Sequence, residues 1–156
     1  MLALLSDLLR QSPDFVGLVS KLDIRISQKM VPYIATTEDI TVTVRPAYLD
    51  SQSSLFEQRF VFGYFIRIEN HSPVEVQLLR RYWRIEESTG RVQEVEGEGV
   101  IGKQPLIAPG GVHTYNSYSV LNTFEGAMEG YYTMERPDGE RFRVVIPRFY
   151  LRAMAN

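Results

Sequence analysis

From Ile40 to Ile146 the apolar residues recur with a period of two, broken by turn signals about every ten residues. That alternation restricts the fold more than any other feature of the chain. A period of two sends successive side chains to opposite faces of a strand, whereas a helix repeats every three to four residues. Ile40, Val42 and Val44 alternate with Thr41, Thr43 and Arg45, as in a half-buried strand. Pro46 to Ser54 reads as a loop. Phe60, Phe62, Tyr64, Ile66 and Ile68 then share one strand face, opposite Arg59, Val61, Gly63, Phe65, Arg67 and Glu69. Asn70-His71-Ser72-Pro73 is a turn, because Pro73 cannot donate to a ladder.

Val76 to Glu86 is the next strand, and its phase is broken. Val76, Leu78 and Tyr82 fall on one face, Leu79, Trp83 and Ile85 on the other. A bulge near Leu79-Arg80-Arg81 would turn Leu78 and Trp83 inward together. Ser88-Thr89-Gly90 closes a hairpin onto a short polar strand from Arg91 to Glu96. Further strands are expected at Val112–Val120, Gly130–Glu135 and Arg141–Ile146, with a loop at Asn122–Gly126 and a turn at Pro137-Asp138-Gly139. Pro147 reads as the end of the last strand, with Phe149 and Leu151 covering one end of the core. Seven or eight strands without crossover helices predict an all-β, antiparallel β-sandwich of the immunoglobulin or fibronectin type III kind. A small closed barrel is the second choice.

Residues 1–30 differ in character and form a separate extension ahead of a domain at 31–156. Leu2, Leu4, Leu5, Leu8 and Leu9 recur at helical spacing, and Ser12-Pro13 can start a second helix bearing Phe15, Val16, Leu18, Val19 and Leu22. Met30 is an alternative start. At 156 residues and 44% apolar content the chain suffices for one globular domain with a real core. A formal charge of −2 argues against a general nucleic-acid binder. The absence of cysteine excludes disulfides, thiolate metal sites and a cysteine nucleophile. No apolar run approaches the roughly 20 residues of a membrane span, so a cytoplasmic protein without membrane contact is expected.

One stretch carries text that resembles a binding motif. Glu94 to Pro109 reads EVEGEGVIGKQPLIAP, with G-x-G-x-x-G at Gly97, Gly99 and Gly102, followed by Lys103. A dinucleotide fingerprint needs a helix after the glycines to hold the phosphate on its N-terminus. Pro105 and Pro109 leave no room for one. A P-loop needs Ser or Thr after the lysine, and Gln104 stands there. The stretch is therefore read as a loop needing positive φ or close backbone approach. A residual anion site remains, formed by amides around Gly99 to Lys103 with the charge of Lys103. Glu94, Glu96 and Glu98 oppose an anion and read as a solvated acidic strand.

No catalytic set emerges. His71 and His113 lack ligand spacing, and no G-x-S-x-G elbow occurs. Arg80, Arg81, Trp83 and Arg84 form a basic-aromatic cluster, and Tyr115, Tyr118, Tyr131 and Tyr132 raise the same question. Exposed, these residues are partner contacts; buried, they are core and core rim.

Taken together, Asn70, the LLRRYW run at Leu78–Trp83, GEGVIGKQP at Gly97–Pro105, Pro109-Gly110, MEGYY at Met128–Tyr132 and IPRF at Ile146–Phe149 resemble the ApaG family over about residues 31–151. The resemblance implies a fibronectin type III-like sandwich and a family without established chemistry. It further implies a link to cobalt tolerance and magnesium efflux in bacteria, and a protein-interaction role in related eukaryotic domains. Where the family often has a Tyr-Thr-Ser-Gly-like run, this chain has Tyr115-Asn116-Ser117-Tyr118. The expectation is a non-enzymatic module without cofactor that binds a protein partner or forms a homo-oligomer. Arg80, Arg81, Trp83, Tyr115 and Tyr118 are its contact candidates. The alternative is a binder of phosphate compounds or divalent cations through Gly97, Gly99, Gly102 and Lys103.

Overall fold

The computed structural model describes residues 31–153; the helical extension expected at residues 1–30 lies outside the described residues. Nine strands follow one another in the described chain: β1 (Tyr33–Thr37), β2 (Ile40–Tyr48), β3 (Phe60–Asn70), β4 (Val76–Glu87), β5 (Val92–Glu98), β6 (Leu106–Ile107), β7 (Val112–Leu121), β8 (Glu125–Glu135) and β9 (Arg141–Arg152). A single turn of 3₁₀-helix at Asp50–Gln52 interrupts them. One sheet has the order β1-β2-β3-β7 and the other β5-β4-β8-β9, with β6 also pairing β4. All pairings are antiparallel. The sandwich is what forms. The closed barrel does not, because among the described strands no ladder joins one sheet to the other.

The alternation read from the sequence sets the two layers. Ile40, Val42 and Val44 of β2 and Phe60, Phe62, Tyr64, Ile66 and Ile68 of β3 are buried on the inner face of the first sheet. Leu78, Trp83, Met128, Tyr132, Met134, Val144, Ile146 and Phe149 answer them from the second. An aromatic cluster locks the layers at the centre. Tyr64 lies 5.4 Å from the Trp83 ring and 5.8 Å from Phe149, while Trp83 meets Phe149 edge-on at 5.9 Å. Each such ring contributes on the order of 2 kcal/mol through burial, with a smaller increment for its tilted geometry.

Three expectations are corrected, and two involve proline. The segment from Pro46 continues β2 to Tyr48 instead of starting a loop. β1 pairs no further along β2 than Val44, so beyond that point one flank of β2 is bare and a missing donor breaks little there. Pro147 does not end the last strand either. β9 is an edge strand, and its register shifts between Met128 and Gly130 of β8, which accommodates the proline and carries Phe149 and Leu151 on as buried strand residues. The third correction is β8, which begins at Glu125 and absorbs part of the expected loop. β1 itself was not anticipated. It is a short edge strand whose Ile34 points outward.

The two flanks of the sandwich differ. On one, β1 meets β9: the Val145 amide donates to Thr37 Oγ1 at 3.1 Å, and Arg136 pairs with Glu38 at 3.3 Å. On the other, β7 and β5 form the sheet edges and no ladder connects them. At the end where β7 begins, Asn70 is fully buried and satisfied. Its Nδ2 donates to the carbonyls of Val74 and Ile107 at 2.8 and 3.0 Å, and its Oδ1 accepts from the amide and hydroxyl of Ser72. That one side chain joins the β3–β4 turn to β6. Asn70→Leu fills similar space but strands these partners without solvent. It is expected to lower unfolding stability by about 3 kcal/mol, measured as a shift in the urea midpoint.

Candidate functional site

The bulge in β4 shapes the glycine stretch. Leu78 pairs with Met134 and Arg80 with Thr133, leaving Leu79 without a β8 partner. The carbonyl of Leu79 instead accepts the Gly99 amide at 2.8 Å and Gln104 Nε2 at 3.0 Å. The Leu78 amide donates to the Pro105 carbonyl. Between these anchors the chain makes a tight turn. The amides of Val100 and Lys103 donate to each other's carbonyls at 2.8 and 3.1 Å. Ile101 and Gly102 both have positive φ, 49° and 71°, the signature of a type I′ turn.

Each glycine of the G-x-G-x-x-G text has a separate geometric reason. A Cβ on Gly97 would meet the Arg81 guanidinium at 2.8 Å, and one on Gly99 would meet the Lys103 carbonyl oxygen at 2.1 Å. Gly102 has open space around it and is needed for its positive φ alone. Arg81 lies across this backbone, its Nη1 donating to the carbonyls of Glu98 and Gly99 at 3.0 and 2.9 Å. An anion nest requires successive amides converging on one point. The amides of Gly99, Val100 and Lys103 donate to carbonyls within the protein instead.

The five contact candidates separate on burial. Trp83 and Tyr118 are 3% and 2% exposed and belong to the core clusters, so neither offers a surface. Arg81 is half-buried and committed to the glycine stretch. The Tyr115 hydroxyl shares a short hydrogen bond with that of Tyr132. Burial, reinforced by Tyr115, holds the Tyr132 phenol well above its ordinary value. Arg80 stands exposed on the outer face. The structure thus brings only Arg81 and Tyr115 of the contact candidates to the open flank, beside the glycine stretch, and leaves Trp83, Tyr118 and Arg80 apart from them. Arg81 and Tyr115 converge on Tyr132, and burial, with a smaller contribution from the charge of Lys103, lowers the basicity of His113. His113 joins this group although its sequence context gave no sign of it; only the pairing of β7 on β3 places it between the sheets, opposite Ile68.

The outer face of the second sheet carries a group that the sequence divided between strands. Tyr82 and Tyr131 stack at 4.8 Å, and Arg143 lies 4.3 Å over the Tyr131 ring. Beside them Arg84 and Arg148 each pair with both Glu86 and Glu129, at 2.8 to 3.4 Å. Exposed pairs of this kind contribute little to stability, but they balance the charge of these four side chains. Among the described residues no three of His, Asp and Glu gather as a metal site.

Two alanine substitutions separate these roles. Gly99→Ala meets a backbone oxygen and a left-handed φ and is expected to cost about 3 kcal/mol or more. Gly102→Ala meets only the φ penalty, about 1 kcal/mol. Urea unfolding of the two variants measures the order directly.

Comparisons with known proteins agree with this architecture. A family profile described as the ApaG domain matches residues 50–136. An ApaG protein of Sinorhizobium fredii is 51% identical over 119 residues, 76% of this chain and 92% of that relative. One from Paramagnetospirillum magneticum is 50% identical over the same length. Among solved structures, an ApaA protein from Bordetella pertussis superimposes with a TM-score of 0.71 at 41% identity, covering 79% of this chain and 96% of that one. The chain belongs to the ApaG family.

Proposed function

We propose that this domain is a non-enzymatic protein-interaction module, and that it meets its partner on the open flank where the Val100–Lys103 turn projects beside the start of β7. The observation that carries this reading is how the polar groups there are used. The amides and the arginine that a phosphate would need are engaged inside the protein. Ile101, Lys103 and Val112 stand exposed around them, with Arg80 on the adjoining strand. A rigid turn presenting an apolar side chain and a cation suits a contact surface. Catalysis would require a nucleophile beside a base with a third group to orient it, and the Tyr115–Tyr132 phenol pair on this flank is not such a set. On this reading the family's association with divalent cations is indirect, acting through the partner.

Direct binding of a phosphate compound or cation is the competing reading. Lys103 beside His113 favours an anion, and the internal use of three turn amides weighs against one. The test is an affinity capture from cell lysate with the wild-type chain and with Arg80→Glu and Lys103→Glu. Both substitutions are on exposed side chains. The wild type is expected to retain a reproducible protein partner, and each variant to lose it by about tenfold, the scale of one contact residue. Absence of any reproducible partner, or capture by both variants equal to that by the wild type, would contradict the proposal.

A further inference from the structure

The connection between β2 and β3 presents an aromatic side chain that nothing in the fold requires. Leu49 is buried against Val61 and Tyr118 and starts the connection. Ser53 Oγ donates to the Leu49 carbonyl at 2.8 Å and accepts the Val61 amide at 2.9 Å. Ser54 and Arg59 exchange two backbone hydrogen bonds, at 2.8 and 2.9 Å. Within that bridge the Gln58 amide donates to the Leu55 carbonyl, and the Glu57 amide donates to Ser54 Oγ. The result is a closed tip with Leu55 and Phe56 at its summit, 75% and 99% exposed. A buried phenyl ring is worth roughly 2 kcal/mol. This tip forgoes that gain while the hydrogen bonds below fix the backbone that carries the ring. Preorganised aromatic anchors of this kind are what binding hot spots use.

We infer that Phe56 is the anchor of a second protein-binding surface, and that its partner offers an apolar pocket with a basic rim. Charge identifies the rim. From Leu49 to Arg59 the ionisable residues are Asp50, Glu57 and Arg59; Arg59 stands half-buried at the foot of the tip, where it pairs with Ser54, and the exposed Glu57 adjoins Phe56, so the summit is acidic. An anionic lipid surface repels such a tip, since membrane-seeking segments pair their apolar residues with cations. Area argues against a second copy of this chain. Burying one Phe and one Leu removes a few hundred Å² at most, well short of the roughly 800 Å² per partner of a stable interface. An anchor in a pocket fits both limits. The surface lies with the β7–β8 turn, where Phe124 meets Phe60 edge-on. The Val100–Lys103 turn is at the opposite end, where β7 begins.

The test selects random phage-displayed peptides on the full chain and measures their affinities for wild type, Phe56→Ser, Glu57→Lys and Lys103→Glu. The recovered peptides are expected to combine an aromatic or long aliphatic residue with Arg or Lys. They should bind Phe56→Ser and Glu57→Lys about tenfold more weakly and Lys103→Glu unchanged, the scale of one anchor. Phe56→Ser should keep the wild-type urea midpoint, because the ring is exposed. The inference shares the interaction-module reading but uses a different surface. Peptides sensitive only to Lys103→Glu would keep that reading and overturn this one. No Phe56-dependent peptide, Phe56-dependent binding to phosphatidylglycerol vesicles, or Phe56-dependent dimerisation in sedimentation would each overturn it as well.

Discussion

One extra residue in β4 connects the core of this protein to its surface. Because Leu79 has no β8 partner, the strand changes phase at that point. Leu78 and Trp83 both turn inward, Arg80 turns out, and Arg81 is carried under Gly97. The same bulge frees the Leu79 carbonyl to receive Gly99 and Gln104. Bulges commonly redirect side chains in this way. Here the redirection fixes the centre of the sandwich and the course of the glycine stretch in one step. The aromatic contact of Trp83 with Tyr64 and Phe149 and the hold of Arg81 on two carbonyls are two outcomes of one register shift.

Much of this was legible in the residues, and the reasons for success and failure are physical. β3 and the inner face of β2 alternate cleanly because one side of each packs on the opposite sheet. The bulge was legible because Leu78 and Trp83 are both strongly apolar yet out of phase. Pro46 and Pro147 misled because a proline in a strand signals a missing donor, and whether that donor is needed depends on a neighbouring strand far away in sequence. β1 was obscured by the mixed polarity of a short edge. The Tyr115–Tyr132 contact crosses from one sheet to the other, and no local pattern encodes such a pairing. The text G-x-G-x-x-G was visible at once, but its three glycines answer three different local demands, and their spacing carries no common purpose.

The surfaces follow from the same arrangement. The flank joining β1 to β9 is tied by hydrogen bond and ion pair, and on the outer face of the second sheet Arg84, Arg148, Glu86 and Glu129 balance one another's charge. Attention therefore falls on the open flank with its rigid turn, and on the far end where the β2–β3 tip projects. Both are small structures closed by their own backbone hydrogen bonds, which lowers the entropy lost on binding.

The central claim is that the glycine stretch is a hydrogen-bonded turn and not a phosphate cradle. Amide hydrogen exchange, resolved by residue from Gly99 to Lys103 with and without millimolar pyrophosphate, tests it most directly. The amides of Gly99, Val100 and Lys103 are expected to exchange about tenfold or more slowly than those of Ile101 and Gly102, with no change on adding pyrophosphate. Uniformly fast exchange across the five, or protection that appears at Ile101 and Gly102 only with pyrophosphate, would contradict it.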